Sequence, residues 1–131
     1  MRDHTILRTL LTQALALSAV FASSGAWAWY SEGDKIVMTL QERQYCRTWE
    51  ADGMAAMWGR QENTKPPFEE DGKYEVPDGR KSVRAVFLRQ VQDYPIESTK
   101  EARMAVIEKY GKQMEMRCFG AITSKPSTKA P

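Results

Sequence analysis

Apolar side chains recur every three or four residues in three separate stretches of the chain, and this period predicts three α-helices. They run from about Leu40 to Gln61, Val83 to Tyr94 and Thr99 to Phe119. The segment between the first two, residues 62–81, holds three prolines and two glycines and has no helical period, which indicates a long loop. The predicted fold class is therefore all-α, a small three-helix bundle.

The predicted helix ends carry their own signals. Two Ser/Thr-x-x-Glu capping boxes, Thr39 with Glu42 and Ser98 with Glu101, indicate where the first and third helices begin. Single residues indicate the other ends: Ser82 as the cap of the second helix, Pro95 as its stop and Gly120 as the stop of the third.

Each predicted helix has one apolar face that is expected to be buried. On the first helix, Gly53 lies on this face. It would either permit the close approach of a neighbouring helix or simply be tolerated there, at a cost of roughly 1 kcal/mol relative to alanine. The three faces consist of Tyr45, Cys46, Trp49, Gly53, Ala56 and Met57; of Val83, Val86, Phe87, Val91 and Tyr94; and of Ala102, Val106, Ile107, Tyr110, Met114 and Cys118.

The first helix carries a second apolar stripe beside its core face, and this stripe has two interpretations. The long loop could fold over it, with Phe68 or Tyr74 as the cover, or a protein partner could bury it. Tryptophan and arginine are favoured anchors of protein interfaces. The candidate partner-binding residues are therefore the stripe and one arginine near its edge: Ala51, Met54, Ala55, Trp58 and Arg60.

The first 28 residues have the features of a secretory signal peptide: two early arginines, an apolar segment over 10–22 and a small-x-small site at Ala26-Trp27-Ala28. We predict cleavage after Ala28, with Ala22 and Ala26 as alternatives. An uncleaved anchor is the less favoured interpretation, because polar residues interrupt the apolar segment and a spanning helix needs about 20 apolar residues. The protein is therefore expected in the periplasm or outside the cell.

Cleavage would leave a helical domain over residues 29–120 and a tail over 121–131. The tail is rich in Ser, Thr, Pro, Lys and Ala and has no apolar period, so it is predicted to be disordered.

Cys46 and Cys118 are the only cysteines, and in an exported chain they are predicted to form an intramolecular disulfide. An intermolecular bond or a reactive thiol remains an alternative. A disulfide needs Cα atoms within about 7 Å, which requires the third helix to run antiparallel to the first. The short turn at Pro95 makes the second and third helices antiparallel, so the second is expected to run parallel to the first.

Composition narrows the range of functions. Basic and acidic residues nearly balance, at 19 and 17, which argues against a nucleic-acid partner. The only histidine, His4, lies in the predicted signal peptide, so the mature chain would lack the usual general base and the imidazole of most zinc and copper sites. No cofactor or metal is expected. Carboxylate chemistry is what remains for an enzyme, with Glu50, Asp52, Glu69, Glu70 and Asp71 as its candidates.

Several features together resemble small exported helical proteins of Gram-negative bacteria and their phages. They are the helix ending at residues 54–61, the Tyr94-Pro95 break, the Ser98-x-x-Glu101-Ala102 start, and Tyr110 ahead of Cys118. The resemblance implies a small helical fold and no particular activity. The chain is also broadly similar to secreted immunity proteins and periplasmic acid-stress chaperones, which share the one-disulfide helical plan.

The function expected from the sequence is an exported, non-enzymatic module that binds another protein, such as an inhibitor or immunity protein, with no membrane association after signal cleavage. A periplasmic acid-stress chaperone is one alternative, and its switch would depend on carboxylates that titrate near pH 4. A small carboxylate-based cell-wall hydrolase is the other.

Overall fold

A computed structural model of the protein describes residues 28–68 and 75–124. The predicted signal peptide, apart from Ala28, and the predicted tail from residue 125 onward lie outside the described residues. In chain order the elements are strands β1 (Tyr30–Glu32) and β2 (Lys35–Val37), helices α1 (Leu40–Glu62) and α2 (Asp78–Gln90), a 3₁₀ turn (Val91–Asp93) and helix α3 (Lys100–Thr123). The predicted helical bundle is confirmed, with a small hairpin added before it.

Helices α1 and α3 form the centre of the molecule and run antiparallel. A disulfide joins Cys46 to Cys118 at one end, with Cα atoms 5.3 Å apart and a sequence separation of 72 residues. At the other end, Arg103 lies 3.5 Å from Glu62. Both the predicted intramolecular disulfide and the predicted helix direction are confirmed.

Two glycines allow α1 and α3 to approach closely where they cross. A Cβ atom at Gly53 would lie 2.8 Å from Cγ of Met114, and one at Gly111 would collide with Cγ of Met54. Each helix thus places a methionine over the glycine of the other. The expected role of Gly53 is confirmed, and Gly111 is its unpredicted counterpart on α3.

Helix α2 lies beside α1 and runs in the same direction. Near the start of α2, Arg80 binds Asp52 of α1, and just past the end of the 3₁₀ turn the carbonyl of Tyr94 accepts a hydrogen bond from Arg60. Two aromatic side chains pack edge-on against Tyr110 of α3: Phe87 of α2, and Tyr94, which follows the 3₁₀ turn. The predicted parallel arrangement of α1 and α2 is therefore confirmed.

The buried apolar residues form two clusters. The larger lies between the three helices and contains Ala56, Met57, Phe87, Val91, Ile107, Tyr110 and Met114. The smaller surrounds the disulfide and contains Cys46, Cys118 and Ile122, with Trp29, Met38, Trp49 and Phe119 packed against it. Two residues assigned to the core faces, Tyr45 and Val86, are exposed instead, because each lies at the edge of its face.

The capping box at the start of α1 is confirmed. The Thr39 hydroxyl accepts a hydrogen bond from the Glu42 backbone N–H at 3.1 Å, and the Glu42 carboxylate accepts one from the Thr39 backbone N–H at 2.8 Å. The same carboxylate, on a residue that is only 4% exposed, also accepts hydrogen bonds from the backbone N–H groups of Ala28 and Trp29. The cap therefore fixes the start of the described chain.

The other predicted caps were wrong. Helix α2 begins at Asp78 with Pro77 as its N-cap, and the Ser82 hydroxyl donates to the Asp78 carbonyl from inside the helix. Helix α3 is capped by Thr99, which places Glu101 at the second helical position, so no box with Ser98 can form.

The end of α3 also differs from the prediction. The helix passes Gly120, the expected stop, and continues to Thr123. Ile122 is buried beside the disulfide, and this tertiary contact outweighs the low helix propensity of one glycine. Three residues of the predicted tail, 121–123, therefore belong to the helix.

A two-stranded antiparallel hairpin precedes α1 and was not predicted. Tyr30 pairs with Val37 and Glu32 with Lys35, across a two-residue turn at Gly33 and Asp34. Gly33 has a φ of +59°, the left-handed conformation that glycine adopts most readily at such turns. The sequence is also compatible with a short strand over KYEV, residues 73–76. Residues 73 and 74 lie outside the described residues, and residues 75 and 76 are not in a strand.

Candidate functional site

The outer side of α1 holds the candidate partner-binding residues, and the structure places them at different depths. Trp58 retains 38% of its surface exposed, whereas Ala55 is buried. Ala51 and Met54 are half-buried. Solvent exposure therefore differs along the stripe, and Trp58 is its most exposed residue.

Met54 has a structural role as well as an accessible edge. Its side chain packs over Gly111 at the crossing of α1 and α3 and also touches the larger core cluster. Beside it, an open groove of about 500 Å³ is lined by Glu50, Met54, Ala105, Glu108, Lys109 and Lys112. Met54 thus forms part of the apolar wall of a groove whose rim is charged.

The rim of this groove is held by an ion pair between helices. The Lys112 ammonium lies 2.7 Å from the Glu50 carboxylate and 3.3 Å from that of Glu115. The hydrogen bond to Glu50, followed by the one to Glu115, raises the pKa of Lys112. Lys112 therefore stays positively charged throughout the physiological pH range.

Arg60, the arginine near the edge of the stripe, forms a hydrogen bond to another part of the same chain. Its Nε donates a hydrogen bond to the Tyr94 carbonyl at 3.1 Å. The adjacent Gln61 is buried and brackets the same turn, since its Nε2 donates to the Pro95 carbonyl and its Oε1 accepts from the Glu97 N–H. Together the two side chains hold the connection before α3 against the end of α1. No sequence signal indicated this role of Gln61, which lies between the two apolar stripes.

The first part of the long loop, residues 63–68, folds back on α1, and Trp58 remains 38% exposed among the described residues. Atoms of Thr64 and Pro66 lie about 3 Å from the position of a Cβ at Gly59. Phe68, one of the two expected covers of the stripe, instead lies under the Arg84 guanidinium, 4.3 Å from ring centroid to Cζ. Tyr74, the other, lies outside the described residues.

Asp52, a candidate catalytic carboxylate, is enclosed by two arginines of α2. Arg80 donates to both carboxylate oxygens, from Nε at 2.8 Å and from Nη2 at 3.0 Å, and Arg84 donates from Nε at 3.0 Å. Asp52 is 2% exposed and Arg84 is also buried. The arrangement joins α1 to α2 by charge-assisted hydrogen bonds, and Asp52 has little access to a substrate.

The remaining carboxylate candidates are in different situations. Glu50 is paired with Lys112 at the groove rim. Glu69, Glu70 and Asp71 lie outside the described residues. Over residues 28–68 and 75–124, no three side chains of the Asp, Glu, Cys or His type come together as a metal site would need.

A second and larger open groove, of about 880 Å³, runs along α3 and the end of α2. Within it the Tyr110 hydroxyl donates to Gln90 Oε1, which also accepts from Arg117. Burial, with a smaller contribution from Tyr94, raises the pKa of Tyr110 to about 12, and the Arg117 charge opposes both effects. A neutral phenol of this kind is a structural donor and not a base at physiological pH.

No protein-family model, curated protein or solved structure matches the chain. Among the described residues, no helix combines the length and the hydropathy needed to cross a bilayer. The case for a function therefore rests on the geometry of the chain itself, and above all on Trp58.

Proposed function

We propose that the protein is an exported, non-enzymatic module that binds another protein through the outer side of α1, with Trp58 as the central contact. The exposure of Trp58 carries this proposal. The other two tryptophans that the structure describes, Trp29 and Trp49, pack against the disulfide cluster, whereas Trp58 keeps 38% of its surface in contact with solvent. Tryptophan buries a large area when a partner covers it.

The rigidity of α1 supports the same proposal. The helix is tied to α3 by the disulfide and the glycine crossing, and to α2 by Asp52. A surface that is already fixed loses little conformational entropy when it binds, so more of the contact energy appears as affinity.

The surroundings of Met54 add a further argument. An apolar centre within a polar rim is the usual anatomy of a protein interface. Here Met54 supplies apolar surface one helical turn from Trp58, and the Glu50–Lys112 pair supplies charged rim. An inhibitor or immunity protein against an exported toxin or cell-wall enzyme is the concrete form that we favour, since the disulfide is typical of exported proteins.

A photo-crosslinking residue placed at position 58 tests the proposal in cells that export the protein. We expect a defined crosslinked product from position 58, and loss of partner capture in the Trp58→Ala variant. Met116 provides the matched control, because it is 64% exposed on α3 and should give no product. Absence of a position-specific product, with Trp58→Ala behaving like wild type, would count decisively against the proposal.

An acid-stress chaperone is the second candidate, and two buried carboxylates favour it. Glu42 holds the chain start and Asp52 holds α2. A chaperone of this kind would release these two segments in acid and expose apolar surface. Binding of a hydrophobic dye between pH 7 and pH 3 separates the candidates: a chaperone gains dye binding reversibly in acid, whereas unchanged binding and compactness exclude it.

A further inference from the structure

The backbone N–H groups of the first two described residues both donate to one buried carboxylate, that of Glu42. Oε1 of Glu42 accepts hydrogen bonds from the backbone N–H groups of Ala28 at 2.6 Å and Trp29 at 3.1 Å. Its Oε2 accepts from Thr39 at 2.8 Å. All three donors are neutral in the uncleaved chain, and Glu42 is 4% exposed. Within the part of the chain that the structure describes, no charged group is bonded to this carboxylate, and a buried carboxylate held by neutral donors carries a large desolvation cost.

The side chains of Ala28 and Trp29 differ in burial. Trp29 packs against the cluster of Cys46, Cys118 and Ile122, whereas Ala28 is exposed. The bond between Ala28 and Trp29 is also the predicted signal cleavage site. Among residues 28–68 and 75–124, Trp29 is thus the first whose side chain packs against the fold, and it is also the first residue of the expected mature chain.

We infer that cleavage after Ala28 completes the fold, because it turns the Trp29 nitrogen into an α-ammonium that Glu42 binds as an ion pair. The inference rests on the proposed export of the chain. It assigns Glu42 as the binding site of the mature N-terminus, in addition to its role in the cap of α1.

The chemistry of the step is a peptide-bond hydrolysis by the signal-peptide protease of the export machinery. Water supplies a hydroxyl to the Ala28 carbonyl carbon and a proton to the Trp29 nitrogen as the C–N bond breaks. Ala28 leaves with the signal peptide as a carboxylate. The new amine takes a further proton from solvent below its ordinary pKa, which is near 8.

Cleavage would change the charge of the groups that donate hydrogen bonds to Glu42. Two neutral amides, those of Ala28 and Trp29, are replaced by one cation with three N–H bonds. Charge-assisted hydrogen bonds between ammonium and carboxylate are shorter and stronger than those to a neutral amide. The 3.1 Å between the Trp29 nitrogen and Oε1 is already within the reach of such a pair.

The first test is the mass of the protein recovered from the exported fraction. We expect a chain that begins at Trp29. A chain that begins at Ser23 or Trp27, the products of the alternative cleavage sites, would overturn the inference while leaving export intact.

The second test is a thermodynamic cycle built by native chemical ligation at Cys46. Synthetic peptides of residues 29–45 carry either a free or an acetylated N-terminus, and either the native Glu42 or the Glu42→Gln substitution, and each is joined to residues 46–131. Acetylation keeps the Trp29 N–H but removes its charge. After disulfide formation, the melting temperatures of the four proteins are compared.

With Glu42, we expect acetylation to lower the melting temperature by about 5 °C, which corresponds to about 1 kcal/mol for a domain of this size. In the Glu42→Gln protein, acetylation should have almost no effect. Glu101→Gln is the matched control, since it changes an exposed carboxylate in the first turn of α3. In the Glu101→Gln protein, acetylation should lower the melting temperature as much as in the native protein. An equal effect of acetylation in the native and Glu42→Gln proteins would overturn the inference.

If the Glu42→Gln protein does not fold, a second experiment tests the inference with Glu42 unchanged. It measures the chemical reactivity of the α-amine of Trp29. The amine of the folded Trp29 chain should react with an acylating reagent about tenfold more slowly than that of a chain extended by Ser-Gly, because the ion pair retains the proton. Equal rates would contradict the inference. Both chains retain Trp58, so crosslinking at that position tests the partner proposal separately.

Discussion

Asp52 carries a negative charge that protein groups, and not water, must balance. Two arginines supply three hydrogen bonds to it, and one of them, Arg84, is itself buried. Removal of one member of a buried ion cluster costs far more than removal of an exposed pair, because the remaining charges cannot regain their hydration. The same helix offers an exposed comparison in Glu62, which pairs with Arg103 at 3.5 Å.

We expect Asp52→Asn to lower the free energy of unfolding by about 3–5 kcal/mol. Glu62→Gln, the control on α1, should lower it by about 0–1 kcal/mol. Urea denaturation followed by circular dichroism measures both. Similar losses in the two variants would show that the arginines around Asp52 are hydrated in solution.

Tyr110 gives a prediction at alkaline pH. Its pKa is raised from 10.0 to about 12, chiefly by burial, so the folded protein retains a proton that the unfolded chain has lost. The stability that this group contributes is therefore fully present below pH 10 and is lost as the pH rises from 10 through about 12, because in that range the unfolded chain releases a proton that the folded chain keeps. Absorbance at the tyrosinate band should show a late-titrating phenol that is absent in Tyr110→Phe. It should persist in Tyr45→Phe, which changes an exposed tyrosine; loss of the late step there instead would refute the assignment.

At the scale of single residues, local interactions could be predicted from the sequence, whereas contacts between distant parts of the chain could not. Thr39 and Glu42 were predicted correctly because a capping box is a local interaction between neighbours. The Asp52 cluster was not predicted, since its arginines come from a helix that follows a long loop. Nothing local distinguishes Arg84, which is buried, from a solvent-facing arginine on the same helix. The additional hydrogen bonds of Glu42 to Ala28 and Trp29 were missed for the same reason.

At the scale of elements, the crossing of α1 and α3 depends on paired glycines. Gly53 faces Met114, and Gly111 faces Met54 and the Glu50 carbonyl. Glycine normally weakens a helix by about 1 kcal/mol relative to alanine. Here that cost is offset by the packing that the short distance between the helices allows.

We expect Gly111→Ala to destabilise the protein by about 1–3 kcal/mol, because the added methyl group overpacks the crossing. Gly120→Ala, in the same helix, should stabilise it by about 0.5–1 kcal/mol, since nothing lies within 4 Å of the added Cβ. Thermal unfolding measures the pair. Met54→Ala should reduce the cost of Gly111→Ala, and strictly additive effects in the double variant would show that the two residues do not touch in solution.

The three helices and their directions could be predicted from apolar periodicity and one distance limit, the reach of a disulfide. Of their ends, the start of α1 after Thr39 and its end near Gln61 could be predicted, since α1 runs from Leu40 to Glu62, whereas the start of α2 and the end of α3 could not. Ser98 and Thr99 are adjacent and chemically equivalent as caps, and nothing local distinguishes them. The hairpin was missed because its three-residue strands are too short to show an alternating pattern. Whether Trp58 is exposed could not be predicted from the sequence. Its exposure depends on the path of the loop, and that path depends on long-range contacts such as that of Phe68 with Arg84.

At the scale of the whole molecule, the disulfide closes a loop of 72 residues. That loop contains most of α1, all of α2 and most of α3, so the bond constrains the part of the unfolded chain that forms the helical bundle. The chain-entropy model assigns about 4 kcal/mol to a loop of this length. A domain of this size has about 5–15 kcal/mol of total stability, so the bond accounts for a large share.

We therefore expect a Cys46→Ala/Cys118→Ala variant to lose about 4 kcal/mol of unfolding free energy, measured by guanidinium denaturation. Reduced wild-type protein should behave in the same way. An unchanged denaturation midpoint in both would mean that the packing of α1 on α3 is sufficient without the bond.

The position of the disulfide has a consequence for the damaged molecule. The connection from Asn63 to Pro77 lies entirely within the covalent loop that Cys46 and Cys118 close. A protease that cuts this connection would yield two pieces that remain bonded to each other, with α1 still packed on α3. The protein could then persist as a two-chain molecule with Trp58 still presented on α1, a form that separates into fragments only when the disulfide is reduced.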